Sequence, residues 1–182
     1  MVINNNDLMI RLRYALDLKE FDMVEIFKLG GSTYTREEVR RILINPQKEE
    51  SATKEALVCD NHMLENFLNG LITFKRGAKD TKLADAVEKN TENVTEKTNP
   101  AYLIKSNKDV YNVMLKKLKI ALSLTGEEML EIFQLANLTL SNSELSAVLR
   151  RQGQRNYKEC GERYAKNFLK GLAIKYRGKS VK

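Results

Sequence analysis

Residues 107–182 of this 182-residue chain carry 15 Lys and Arg against 7 Asp and Glu. Arg150, Arg151, Arg155 and Lys158 fall close together there, interleaved with Gln152, Gln154 and Asn156. Lysine and arginine hold phosphates, and Arg, Asn and Gln are the side chains that read base edges. Arg163, Lys166 and Lys170 follow at spacings of three and four, so on a helix they share one face. Cys160, Tyr164, Phe168, Leu169 and Leu172 take the opposite, inward side. Lys175, Arg177, Lys179 and Lys182 continue the charge to the end. Such a stripe suits tracking of a phosphate backbone, with DNA or RNA as partner. The same residues would also serve as an ordinary solvated helix face.

Other chemistries find little support. His62 is the single histidine, and its counterpart in the internal repeat described below is Arg163. Cys59 and Cys160 are the two cysteines, in no metal-type spacing, and read as small buried hydrophobes. Gly30-Gly31 lacks the rest of a phosphate-loop motif and follows no strand. No zinc spacing occurs. The residues therefore predict a binding protein with no catalytic or metal-ligating residues and no cofactor, not an enzyme.

The charge is unevenly placed. The chain's net +7 is made up of −1 over residues 1–78, zero over 79–106 and +8 over 107–182. No apolar run approaches the roughly 18 residues that span a bilayer, and the first residues do not read as a secretory signal. A cytoplasmic protein without a membrane role is the expectation.

The elements that must position these residues come as a duplication. MVEIFKLGG from Met23 and MLEIFQLAN from Met129 match at an offset of 106. Upstream, Leu12, Ala15, Leu16 and Leu18 pair with Leu118, Ala121, Leu122 and Leu124. Downstream, Thr33, Glu38 and Leu43 pair with Thr139, Glu144 and Leu149. The offset then falls to 101, at which Cys59, Asn66, Phe67, Leu68, Gly70, Leu71, Arg76 and Gly77 match Cys160, Asn167, Phe168, Leu169, Gly171, Leu172, Arg177 and Gly178. The first repeat's five extra residues fall around 45–55, a polar stretch with an Asn-Pro pair, as a surface loop would allow.

Each repeat reads as four helices, with apolar residues at helical spacing. The first is predicted over 6–17, its counterpart carrying Val113, Met114, Leu118, Ala121 and Leu122. The second covers 21–29 and 127–136, the third 36–44 and 142–151, and the fourth 59–74 and 160–176. Thr35 with Glu38, Thr125 with Glu128 and Ser141 with Glu144 have capping-box spacing. Lys19 holds the matching position in the first repeat and leaves that start less defined. Gly70 and Gly171 lie inside the fourth helices at about 1 kcal/mol against alanine, so their recurrence points to close helix packing, with a shared helix break at that point as the alternative. Residues 80–100 are polar and charge-balanced, a linker with partial helix at 83–87.

The second and third helices of the basic repeat have the outline of a helix-turn-helix, with Asn142, Ser143, Ser146, Arg150 and Arg151 on the outer face of the third. The turn is longer than usual, and the arginines come late in the helix.

The blocks MVEIFKLGG, FLNGLI and KRG in the first repeat, and KIAL, MLEIFQLA, NYKECGERY and NFLKGLAIKYRG in the second, resemble the YehS-like family of bacterial proteins. That family is a tandemly repeated domain of unknown function. The resemblance covers nearly the whole chain except the linker. It implies a bacterial cytosolic protein with an all-helical fold, and supplies no known activity or catalytic residue.

The sequence therefore predicts an all-α fold. A first helical repeat occupies 1–78, a polar linker 79–106 and a second, basic repeat 107–182. Each repeat of about 70 residues has a marginal core of its own, so the two should pack together. The favoured function is nucleic-acid binding or regulation through Arg150, Arg151, Arg155, Lys158, Arg163, Lys166, Lys170 and Arg177. The alternative is a protein-interaction or self-association module with no nucleic-acid role.

Overall fold

The computed structural model describes residues 3–47, 55–77 and 102–178. Most of the expected linker, including its predicted helix at 83–87, lies outside them, as do Lys179 and Lys182. Among the described residues the chain forms eight α-helices and no strand. The first repeat holds α1 (Asn5–Ala15), α2 (Glu20–Leu29), α3 (Arg36–Ile42) and α4 (Asn61–Arg76). The second holds α5 (Val110–Ala121), α6 (Gly126–Leu135), α7 (Asn142–Leu149) and α8 (Glu162–Arg177).

Local chemistry sets most of the helix starts. The three capping boxes all form, the hydroxyls of Thr35, Thr125 and Ser141 accepting from the amides of Glu38, Glu128 and Glu144. The carboxylates return the bond to the cap amides at 2.7, 2.7 and 3.0 Å. Those amide bonds hold all three carboxyls below their ordinary range. Lys19 cannot accept such a bond, but the Asp22 carboxylate still takes the Lys19 amide at 2.7 Å, which is half a box. Two predicted starts move. The cysteines precede the fourth helices, because Asp60 caps α4 by accepting from the Met63 amide at 2.8 Å and α8 begins after Gly161.

The packing is reciprocal. Within each repeat the second helix lies on the fourth, α2 on α4 and α6 on α8. Across repeats, α1 packs on α8 and α4 on α5, more extensively than α1 on α4 or α5 on α8. The first helix of each repeat is therefore seated mainly on the last helix of the other. Buried residues from both repeats join in one apolar cluster that runs from Ile3 to Ala173. Phe27 meets Phe67, and Phe133 meets Phe168, each pair with ring centroids 5.1 Å apart.

The crossings explain the recurrent glycines. A β-carbon on Gly70 would stand 1.8 Å from the Ile26 carbonyl oxygen, and one on Gly171 would stand 1.8 Å from that of Ile132. The helices touch backbone to backbone at both places. Gly30 adds a second such contact in the first repeat, where a β-carbon would stand 1.8 Å from the Asn66 carbonyl oxygen and the second repeat has Ala136.

Polar ties between the repeats are specific. Arg76 donates to the Ile120 carbonyl at the end of α5, and Arg177 to the Tyr14 carbonyl at the end of α1. These recurring arginines each close the last turn of the opposite repeat's first helix, where a cation is favoured. One buried ion pair breaks the symmetry. Lys117 on α5 lies 3.4 Å from Glu65 on α4 and also donates to Asn69. Glu65 takes the amides of Leu103 and Ile104 as well.

Candidate nucleic-acid interface

The basic loop owes its placement to one buried amide. Asn112 on α5 donates to the carbonyls of Val148 and Lys158, at 2.7 and 2.9 Å. Its oxygen accepts from the Cys160 amide at 2.8 Å and the Tyr157 hydroxyl at 3.3 Å. The end of α7, the loop and the start of α8 are thus tied to one point on α5. Asn6 does the same in the first repeat, donating to the carbonyls of Ile42, Ile44 and Leu57 and accepting from the Cys59 amide. Neither asparagine was among the sequence-predicted residues, although their offset of 106 matches the first block of the repeat.

The arginines do not belong to a helix. The predicted third helix, 142–151, ends at Leu149, and Arg150 already has extended backbone. The Gln154 side chain accepts from the Arg151 amide at 2.9 Å, and Gly153 has φ +88°. A local turn therefore competes successfully with a further helical turn. Along α7 itself, Asn142, Ser143 and Ser146 are exposed and none is charged. The helix packs mainly on α5 and α6 of its own repeat.

Arg150 and Arg151 come together with two lysines that sequence reasoning missed. Lys105, from the segment assigned to the linker, and Lys116, on α5, line the same cleft of about 220 Å³, with Gln152 and Tyr157. Asp109 is the one carboxylate in its wall, and its oxygen is taken by the amides of Lys105 and Ser106 and by the Ser106 hydroxyl. Burial and the charge of Asp109 push the Tyr157 phenol up from its ordinary value. The first repeat has no equivalent: at an offset of 106, Lys116, Arg150 and Arg151 correspond to Ile10, Ile44 and Asn45.

The comparisons with known proteins follow the same two halves. The family model described as a protein of unknown function (DUF1456) matches residues 5–77 and 111–178. The uncharacterized protein YehS of Escherichia coli (strain K12) is 30% identical over 171 residues, covering 94% of this chain and 95% of that protein. The chain belongs to the DUF1456 family. No solved structure matches it.

Both DUF1456 segments take in the four helices of one repeat, and the cations predicted from the second lie on two of its surfaces. Arg155 and Lys158 share the loop with Arg150 and Arg151. The Arg155 carbonyl accepts from the Arg150 guanidinium. Lys158 points toward α7 and α8, its ammonium 3.8 Å from the Glu144 carboxylate and 5.6 Å from the centre of the Tyr164 ring. Arg163 and Lys170 are exposed on α8, and Lys166 between them is paired with Glu162. Arg177 is turned to the first repeat. Its guanidinium lies 3.0 Å from the Asp17 carboxylate and 4.3 Å from the centre of the Tyr14 ring.

The two cysteines have no part in this surface. Both are buried, and desolvation pushes each thiol up to about 12. His62 is exposed, its ring 4.2 Å from that of Tyr102 on the side of the first repeat. Among the described residues no group of His, Cys, Asp and Glu is placed to hold a metal ion, and no helix is long and apolar enough to cross a membrane.

Proposed function

We propose that this protein binds nucleic acid through its second repeat, chiefly by contacts to the phosphate backbone. The observation that carries the reading is the cleft where Arg150 and Arg151 meet Lys105 and Lys116, with Arg155 and Lys158 on the same loop. Arg163 and Lys170 add exposed positive charge on α8. Phosphate contact is favoured over base reading because the arginines sit on a loop, away from the N-terminal half of a recognition helix, where bases are usually read. The helix-turn-helix outline of α6 and α7 then acts as a scaffold that displays the loop. In the first repeat the positions matching Lys116, Arg150 and Arg151 are apolar or neutral, so that repeat supports the second and holds its end helices.

Fluorescence anisotropy with labelled single-stranded DNA, duplex DNA and RNA between 50 and 300 mM KCl tests the reading. Neutralising about four to six phosphates should give a log–log salt slope of roughly −3 to −5. The triple variant Arg150→Ala/Arg151→Ala/Lys116→Ala should flatten that slope by about 2 to 3 while leaving the circular dichroism spectrum intact. Absence of binding to every probe at 50 mM KCl would overturn it.

A further inference from the structure

The cleft between the 103–109 segment, α5 and the 150–157 loop has an apolar side as well as a basic one. Leu103, Val113 and the Tyr157 ring line it together with Gln152. Each of the three apolar groups is held from its own element. Glu65 takes the Leu103 amide at 2.8 Å, Val113 belongs to α5, and the Tyr157 hydroxyl donates to Asn112 at 3.3 Å. The ring is no requirement of the scaffold. In the first repeat Asn6 ties down the same connection, and the position matching Tyr157 at an offset of 101 is Ala56. The cations of the cleft are drawn partly into their own chain, as Arg150 is by the Arg155 carbonyl. Gln152 is exposed, and its side-chain amide has no hydrogen-bond partner among the described residues. The wall thus offers an uncommitted carboxamide, a donor beside an acceptor, near a fixed aromatic ring. The volume of about 220 Å³ falls below the roughly 300 Å³ at which sites for drug-sized ligands begin. It suits one flat ring system and excludes a base pair.

We infer that this cleft holds one unstacked base of a single-stranded nucleic acid, adenine by preference, against Tyr157 and with its edge paired to the Gln152 carboxamide. The inference rests on the reading of this repeat as nucleic-acid-binding, and adds one base to its phosphate contacts. Reading a duplex groove needs a projecting element, whereas an unpaired base needs a recess. A paired base stays in its stack and shows only its groove edges, so the recess selects a single strand. Stacking on an aromatic ring is open to every base. The carboxamide is more selective, because adenine sets an amino donor beside a ring-nitrogen acceptor and pairs with it through two bonds. The lining cations keep their charge and draw in the anionic strand that carries the base.

The test uses the full chain and fluorescence anisotropy at 50 mM KCl. The probes are labelled adenine and uracil strands of about 12 nucleotides, the duplex of the two, and the deoxyribose forms of all three. In at least one sugar form the adenine strand should bind about fivefold or more tightly than the uracil or thymine strand and than the duplex. Gln152→Ala, at an exposed position, should bring the adenine strand down to the level of the pyrimidine strand. Tyr157→Leu should weaken the adenine strand by roughly 5- to 150-fold, and Tyr157→Phe, which keeps the ring, should retain most of the affinity. Should Tyr157→Leu unfold, Gln152→Ala decides alone. If no probe binds, the nucleic-acid reading and the base slot fall together. If strands and duplex bind equally with a steep salt slope and Gln152→Ala changes nothing, the nucleic-acid reading stands and the base slot is overturned.

Discussion

The carbonyl oxygen of Ile26 lies 1.8 Å from where a β-carbon on Gly70 would stand, and Ile132 and Gly171 repeat the relationship. Alanine at position 70 would gain about 1 kcal/mol of helix propensity. It would also force α2 away from α4 at a contact made of backbone, which has no rotamer to yield. Overpacking of that kind costs roughly 1–3 kcal/mol and sometimes more. Gly70→Ala and Gly171→Ala are therefore expected to lower stability despite the propensity gain. Gly126→Ala, at the first position of α6 with nothing within 4 Å of the added carbon, should be neutral or stabilising. Urea midpoints of the three variants check the ranking. Equal midpoints for Gly70→Ala and Gly126→Ala would show that the helices can separate freely.

Those glycines were legible in the sequence because an unfavourable residue recurred at one place in two helices. The same holds for the capping boxes and the Phe27/Phe133 and Phe67/Phe168 pairs. The seating of α1 on α8 and α4 on α5 was not legible. Periodicity shows that a helix has an apolar face, but two near-identical repeats offer that face two near-identical partners. Arg76 and Arg177 were visible as a matched pair, yet their role depends on the helix end that the other repeat brings to them. Lys105 and Lys116 were missed because they lie 35 or more positions from Arg151. The Asn112 amide joins α5 to the loop, and Asp109 holds the Lys105 amide beside them.

Asn6 and Asn112 should be among the most sensitive polar positions. Each is buried and fixes the connection between its repeat's third and fourth helices. Asn6→Leu would leave the Ile42, Ile44 and Leu57 carbonyls and the Cys59 amide without this partner. Stranded buried groups cost about 1–3 kcal/mol each, partly relieved by water. Asn6→Asp should be no milder than Asn6→Leu, although it is nearly isosteric, since a carboxylate would face three carbonyl oxygens. For Asn112→Asp the same sign applies, and the basic loop should loosen with it. Hydrogen exchange of the Cys160 amide reports that loosening directly. Protection unchanged in Asn112→Asp would remove the amide from its role as the loop's anchor.

The Glu65–Lys117 pair predicts a double-mutant cycle with an unusual corner. Removing one partner of a buried pair typically costs about 3–5 kcal/mol, and Glu65→Ala should fall in that range. In a simple pair, replacing both members by leucine recovers most of the loss. Here Glu65 also receives the Leu103 and Ile104 amides, which an apolar side chain cannot accept. Glu65→Leu/Lys117→Leu should therefore stay destabilised, while Glu65→Gln, which keeps an acceptor for those amides, should be milder than Glu65→Ala. Urea unfolding of the three variants decides it. Full recovery in the double variant would mean that the two amides find other acceptors.

The cysteines predict sensitivity to alkali. Burial holds the Cys59 and Cys160 thiols protonated up to about 12 in the folded chain, against about 8.5 for a thiol in water. Above pH 8.5 the unfolded chain therefore releases protons that the folded chain retains. By linkage the stabilisation is fully present below about pH 8.5 and is lost as pH rises toward 12, at roughly 1.4 kcal/mol per pH unit per thiol. Urea midpoints from pH 8 to 11 should fall more steeply for the parent chain than for Cys59→Ala/Cys160→Ala, whatever the variant's absolute stability. Iodoacetamide gives an independent check, because it reacts with the thiolate. At pH 8 without denaturant, alkylation of both residues should be far slower than in urea. Matching slopes together with rapid native alkylation would place the thiols in contact with water and remove burial as the cause of their raised values.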